Sequence, residues 1–180
     1  MSTYHFNKIS SLALLVSAAG LLDNANAHVF FDIPESPVGS RYTAALQVSH
    51  GCIYSPTRQV SVVIPVEVKE VLAEPRDGWT LEVQTDGPAK AAKGTGQTAG
   101  QSVMRVTWTA KTPKDFIPSN ETGVFVWSAK MPEKPGVLNW PVYQVCEQGH
   151  TDWVEIPSPG KSWGELMAPA AVMHVMPTGL

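Results

Sequence analysis

Tyr42-Thr43-Ala44-Ala45-Leu46-Gln47-Val48-Ser49 sets Tyr42, Ala44, Leu46 and Val48 on one side of the chain and Thr43, Ala45, Gln47 and Ser49 on the other. A period of two is the mark of a strand with one face buried and one face wet. The same pattern returns on the C-terminal side, at Val60, Val62 and Ile64, and at Trp79, Leu81 and Val83 with Glu82 and Gln84 opposed. It returns again at Met104, Val106 and Trp108 against Arg105, Thr107 and Thr109, and weaker runs cover 124–128, 137–145 and 153–156. Asp77-Gly78, Asp86-Gly87 and Pro135-Gly136 supply turns between them. Seven or eight short strands separated by turns predict an all-β chain folded as an antiparallel β-sandwich. Residues 86–100 carry no periodicity and read as a loop, and residues 158–180, rich in Pro and Gly with several Met, read as a C-terminal tail laid on the domain or left mobile.

The N-terminal segment 1–27 has a different composition. One cation, Lys8, precedes an apolar stretch from Leu12 to Leu22, and Ala25-Asn26-Ala27 follows. That order is a secretion signal peptide with a small-residue cleavage site. The apolar stretch is about half the ~20 residues of a membrane span, so cleavage after Ala27 is expected, with residues 28–157 forming one domain. The leader contains one cation and one anion, Lys8 and Asp23, so the exported chain keeps the net charge of −3. A mild negative charge argues against a nucleic-acid partner, which calls for a basic stripe.

Cys52 and Cys146 are the only cysteines. In an exported chain an isolated pair reads first as a disulfide. A thiolate metal pair or redox couple is the alternative, without the C-x-x-C spacing that would favour it.

Cleavage after Ala27 makes His28 the first residue. Its free α-amine and imidazole Nδ1 can close a six-membered ring on one metal ion. The amine has a pKa of roughly 7.7 to 8, so releasing its proton near neutrality costs little. Nitrogen donors of this kind suit Cu(II).

The order of several short motifs resembles a known family. His28-Val29, Pro34, Gly39-Ser40-Arg41-Tyr42, His50-Gly51-Cys52, Val62-Val63-Ile64-Pro65, Pro75 with Gly78-Trp79, Val106-Thr107-Trp108, and Tyr143-Gln144-Val145-Cys146 with Trp153 together look like the YcnI-like copper-binding domain, DUF1775. The resemblance implies an exported β-sandwich related to cupredoxin, CopC and immunoglobulin-like folds. It also implies a Cu(II) site made of the terminal amine and imidazole of the first residue, a carboxylate, and a nearby Trp. By position these are His28 and a capping Trp153, while the strand position where a Glu is expected holds Ser61.

His50 is the natural substitute for the missing carboxylate, and two geometric arguments about it oppose each other. A hairpin of strands 41–49 and 58–64 would leave His50 roughly 10 to 13 Å from the row of Ser61, at about 3.3 Å per residue. A Cys52–Cys146 bridge, by contrast, would bring His50 to the end of the sandwich that carries Trp153. Glu67, Glu147 and Asp152 are further carboxylates that read first as surface charges. Trp79, Trp108, Trp127 and Trp140 read as core, and His150 as exposed. Met167 and Met173-His174-Val175-Met176 carry the donor types that suit Cu(I).

These readings predict a periplasmic copper carrier or buffer that holds Cu(II) at His28 and passes it to another copper-handling protein. The alternatives are a copper-dependent redox enzyme, with a second histidine converging on the metal, and a copper-independent interaction module. No Ser-His-Asp set, nucleotide-binding glycine loop or zinc motif is present to support a hydrolase or nucleotide-dependent activity.

Overall fold

The alternation at Tyr42–Val48 forms a nine-residue strand, Arg41–Ser49, whose even-numbered residues are buried. A computed structural model describes residues 28–86 and 102–178. The segment 1–27, expected to be a signal peptide, and nearly all of the expected loop at 86–100 lie outside the described residues. Twelve strands occur among the described residues: β1 (Val29–Phe31), β2 (Glu35–Pro37), β3 (Arg41–Ser49), β4 (Thr57–Val63), β5 (Lys69–Ala73), β6 (Trp79–Thr85), β7 (Val103–Ala110), β8 (Thr122–Lys130), β9 (Gly136–Trp140), β10 (Val142–Cys146), β11 (His150–Trp153) and β12 (Ala171–Met176).

They form a four-stranded sheet in the order β1-β3-β8-β5, a five-stranded sheet β11-β10-β4-β7-β6, and a small sheet β2-β12-β9. Every pairing is antiparallel except β2 with β12. The two larger sheets close on a core that includes Leu46, Val60, Val62, Val106, Trp108, Phe125 and Trp127, all buried. Aromatic rings cross from one sheet to the other: Trp79 lies 5.5 Å from Phe125, and Trp108 6.1 Å from Trp127, between ring centres. Trp140 continues this stack at 5.5 Å from Trp127, so the four tryptophans read as core are core.

Three sequence expectations change. β3 and β4 do not pair as a hairpin. β3 lies between β1 and β8, and β4 lies between β10 and β7 in the other sheet. The connection through 50–56 therefore crosses the sandwich, and no β3–β4 register sets the distance of His50 from Ser61. The run at 137–145 is two strands, because Pro141 interrupts it; proline has no N–H to give a ladder. Residues 158–180 are not simply a tail. Strand β12 runs between β9 and β2, with Ala171, Met173 and Val175 buried, and so belongs to the same hydrophobic core as the rest.

Candidate functional site

β1 is the edge strand of one sheet and β11 the edge strand of the other. His28 precedes β1, whose register sets Val29 opposite Val48, and Ser49 Oγ donates to the His28 carbonyl oxygen at 3.1 Å. Trp153 ends β11, opposite Val142. Gly149, in the tight turn between β10 and β11, has φ +80°, a left-handed conformation that glycine adopts without steric cost. That turn folds β11 back along β10 and places Trp153 on the inward face, 5% exposed. The two residues meet there, with ring centres 6.3 Å apart and planes at 70°.

The segment after β11 closes over them. Val154 and Glu155 both donate through their amides to the Ala168 carbonyl, and Ala170 N returns to the Glu155 carbonyl at 2.9 Å, so 155–168 forms a strap that leaves and rejoins the domain at one place. The Glu155 carboxylate accepts from the amides of Met167 and Ala168 at 3.0 and 3.2 Å, pinning the returning limb. At the far end of the strap, Trp163–Glu165 makes one 3-10 turn, with Ser162 Oγ donating to the Glu165 carboxylate at 2.9 Å. Those hydrogen bonds, from the Ser162 backbone first and its hydroxyl second, lower the Glu165 pKa. Trp163 Nε1 donates to the Ala170 carbonyl at 3.0 Å, which aims the indole inward. Its ring stands 4.4 Å from that of His28, at 89°.

His28 is thus enclosed by two indoles and 5% exposed. Burial lowers its pKa by disfavouring the cation, and the Leu166 backbone, hydrogen bonding to the ring, pulls the other way. The lowered pKa favours the neutral imidazole, the form that can donate a lone pair to a metal. Its Nδ1 is buried with no hydrogen-bond partner among the described residues. Buried polar atoms are almost always paired, so an orphan here is the most informative atom of the site.

The remaining candidates fall elsewhere. Ser61 pairs with Thr107 on one side and Tyr143 on the other, and Tyr143 in turn pairs with Asp152. That row points away from Val62, Val142 and Trp153, so neither Ser61 nor Asp152 faces His28. Ser61 Oγ is instead 2.8 Å from Thr107 Oγ1. His50 is exposed, with φ +36° and its Nδ1 3.1 Å from the Gly51 carbonyl oxygen. The part of His50 that reaches inward is its backbone carbonyl, which accepts from Gln144 Nε2 at 2.8 Å. Among the described residues no group of three His, Cys, Asp or Glu side chains converges to hold a metal ion. Cys52 and Cys146 form the disulfide, with Cα atoms 6.0 Å apart. Met173 points into the core while His174 lies on the outer face of β12, lining a surface groove with Trp163. Adjacent in sequence, those two donors face opposite ways.

Sequence reasoning missed Trp163. Its only local signal is Ser162 with Glu165 three residues on, the pattern of a capping box, in a stretch without apolar periodicity.

The profile of a family described as "Domain of unknown function (DUF1775)" matches residues 28–175. The chain belongs to this family. The DUF1775 match begins at His28 and extends through β12 nearly to its end, so it takes in both the strap and the last strand. Among solved structures, an uncharacterized protein from Nocardia farcinica described as having an immunoglobulin-like fold superposes with a TM-score of 0.66 at 22% identity, covering 83% of this chain and 98% of that one. The likeness fixes the fold of this DUF1775 domain as an immunoglobulin-like sandwich. A cohesin module from a Clostridium perfringens family 33 glycoside hydrolase aligns at a TM-score of 0.48 and 12% identity, over 83% of this chain and 95% of that module. No curated protein matches the chain.

Proposed function

We propose that this DUF1775 domain is an exported copper-binding protein that takes Cu(II) as cargo through the α-amine and Nδ1 of His28, acting in the periplasm as a carrier or buffer. The observation that carries the reading is the buried, unpartnered Nδ1 of His28. It is the ring nitrogen that can close a six-membered chelate with the amine of the same residue, and it lies in a slot walled by Trp153 and Trp163. Nitrogen donors suit Cu(II), and an indole face near a cation contributes roughly 0.5 to 2 kcal/mol. A depressed imidazole pKa supports ligation at neutral pH, since no proton need be displaced from the ring. The Cys52–Cys146 disulfide is in keeping with an oxidising compartment.

The test is a Cu(II) titration of the chain beginning at His28 beside the same chain with one alanine added before it. The added residue turns the amine into an amide and removes one chelating nitrogen while leaving the slot in place. A loss of at least tenfold in affinity, about 1.4 kcal/mol, is expected. Equal affinities would overturn the proposal.

A further inference from the structure

Gln144 occupies an unusual place in the sandwich. On β10 it lies between Val142 and Cys146 in the inward-facing row, and it is 1% exposed. An amide there loses its hydration and must recover hydrogen bonds from the protein. It does so completely in one direction only. Nε2 donates to the His50 carbonyl at 2.8 Å and to Thr57 Oγ1 at 2.7 Å. With the nitrogen committed to two acceptors, Oε1 must face the opposite way, and there it accepts from Trp153 Nε1 at 2.9 Å. Turning the amide over would set N–H against N–H and oxygen against oxygen, since an indole nitrogen only donates and a carbonyl only accepts.

The anchor of this relay is itself fixed. Cys52, two residues after His50, is bonded to Cys146, two residues after Gln144, and Cys52 N donates to Cys146 Sγ at 2.9 Å. The chain of contacts thus runs from the disulfide-fastened loop through Gln144 to the indole that stands against His28.

We propose that Gln144 is a positioning residue for the metal slot: it sets the rotation of the Trp153 indole relative to His28 without itself touching the metal. The assignment rests on the reading of His28 as the copper ligand, and it explains why a fully buried core position carries an amide.

The test is a double-mutant cycle, Gln144→Met with Trp153→Phe, in the exported chain with its N-terminus verified as His28. Two readouts are used. Without copper, NMR follows the exchange of the Trp153 indole N–H with solvent and its through-space contact to the His28 ring. With copper, Cu(II) affinity is measured by competition. Q144M is expected to speed indole exchange, erase the contact to His28 and weaken copper binding by about tenfold, the scale of outer-shell substitutions around metals. In the Trp153→Phe background the same substitution should change affinity by less than about twofold, because the hydrogen bond it breaks is already gone. Retention of the His28 contact in Q144M, or an equal loss of affinity in both backgrounds, would overturn the assignment. Should Q144M fail to fold, Gln144→Asn keeps a polar amide but is one methylene too short to reach the indole, and the same outcomes decide. If the unsubstituted chain binds no copper, the function proposed for His28 falls, while the copper-free arm still decides what Gln144 does.

Discussion

The imidazole of His28 stands edge-on to the indole of Trp163, ring centres 4.4 Å apart and planes at 89°. An edge-to-face pair of this kind adds about 0.5 to 1.5 kcal/mol beyond the area it buries. It also joins the first strand to a strap near the other end of the domain. Trp163→Ala opens one wall of the slot, so the desolvation that lowers the His28 pKa should relax. An NMR titration of the copper-free variant is expected to give a higher His28 pKa than that of the unsubstituted chain. An unchanged value would mean that other groups bury the ring.

The same shift has a consequence for stability. The folded state holds His28 below its ordinary value of 6.5, so unfolded chains bind the extra proton first as pH falls. The stability tied to a neutral His28 is fully present above pH 6.5 and is lost progressively as pH drops through the folded-state pKa. Urea unfolding of the copper-free protein at pH 7.5 and pH 5 should show this loss, and His28→Gln should reduce the difference between the two conditions. An undiminished difference in that variant would assign the effect to other groups.

Removing the bridge by Cys52→Ala with Cys146→Ala frees a loop with a sequence separation of 94. On the chain-entropy estimate this costs about 4 to 5 kcal/mol. Denaturant midpoints measured without reductant test the figure, and a loss under about 1 kcal/mol would show that the unfolded chain gains little freedom.

Two methionines of the C-terminal stretch should behave oppositely. Met173 is fully buried and Met167 is 86% exposed. Met173→Ala is expected to cost about 2 to 5 kcal/mol, and Met167→Ala less than about 0.5 kcal/mol. Thermal melts of the two variants distinguish a structural strand from a dispensable tail, and a chain ending at Pro157 should not fold.

The clear alternations at β3, β6 and β7 were legible because one row of each strand is more buried than the other, while β8, though it alternates in the fold, gave only a weaker run in the sequence. β1 and β2 were not, since three residues give no period. β12 was obscured by the Pro and Gly around it, although Ala171, Met173 and Val175 do alternate inward. The family resemblance implies that His28 and Trp153 lie together, and in the fold their rings stand side by side. The resemblance leaves Ser61 where a carboxylate is expected, and the register with Tyr143 and Asp152 turns that row away from His28, which sequence order alone does not say. Trp163 had no periodic neighbours to announce it. Gln144 belongs to the Tyr143–Cys146 motif, yet only the three hydrogen bonds of its amide reveal why a polar residue stands there.

The strap pinned by Glu155 ties together parts of the domain that lie far apart along the chain. His28 stands at the start of β1, whereas Trp163 and Ala170, whose carbonyl aims that indole, belong to the stretch between β11 and β12. The Trp163 wall therefore exists only once the strap has docked. On the proposed reading of His28, any selectivity that wall confers is a property of the folded domain and is absent from the unfolded chain.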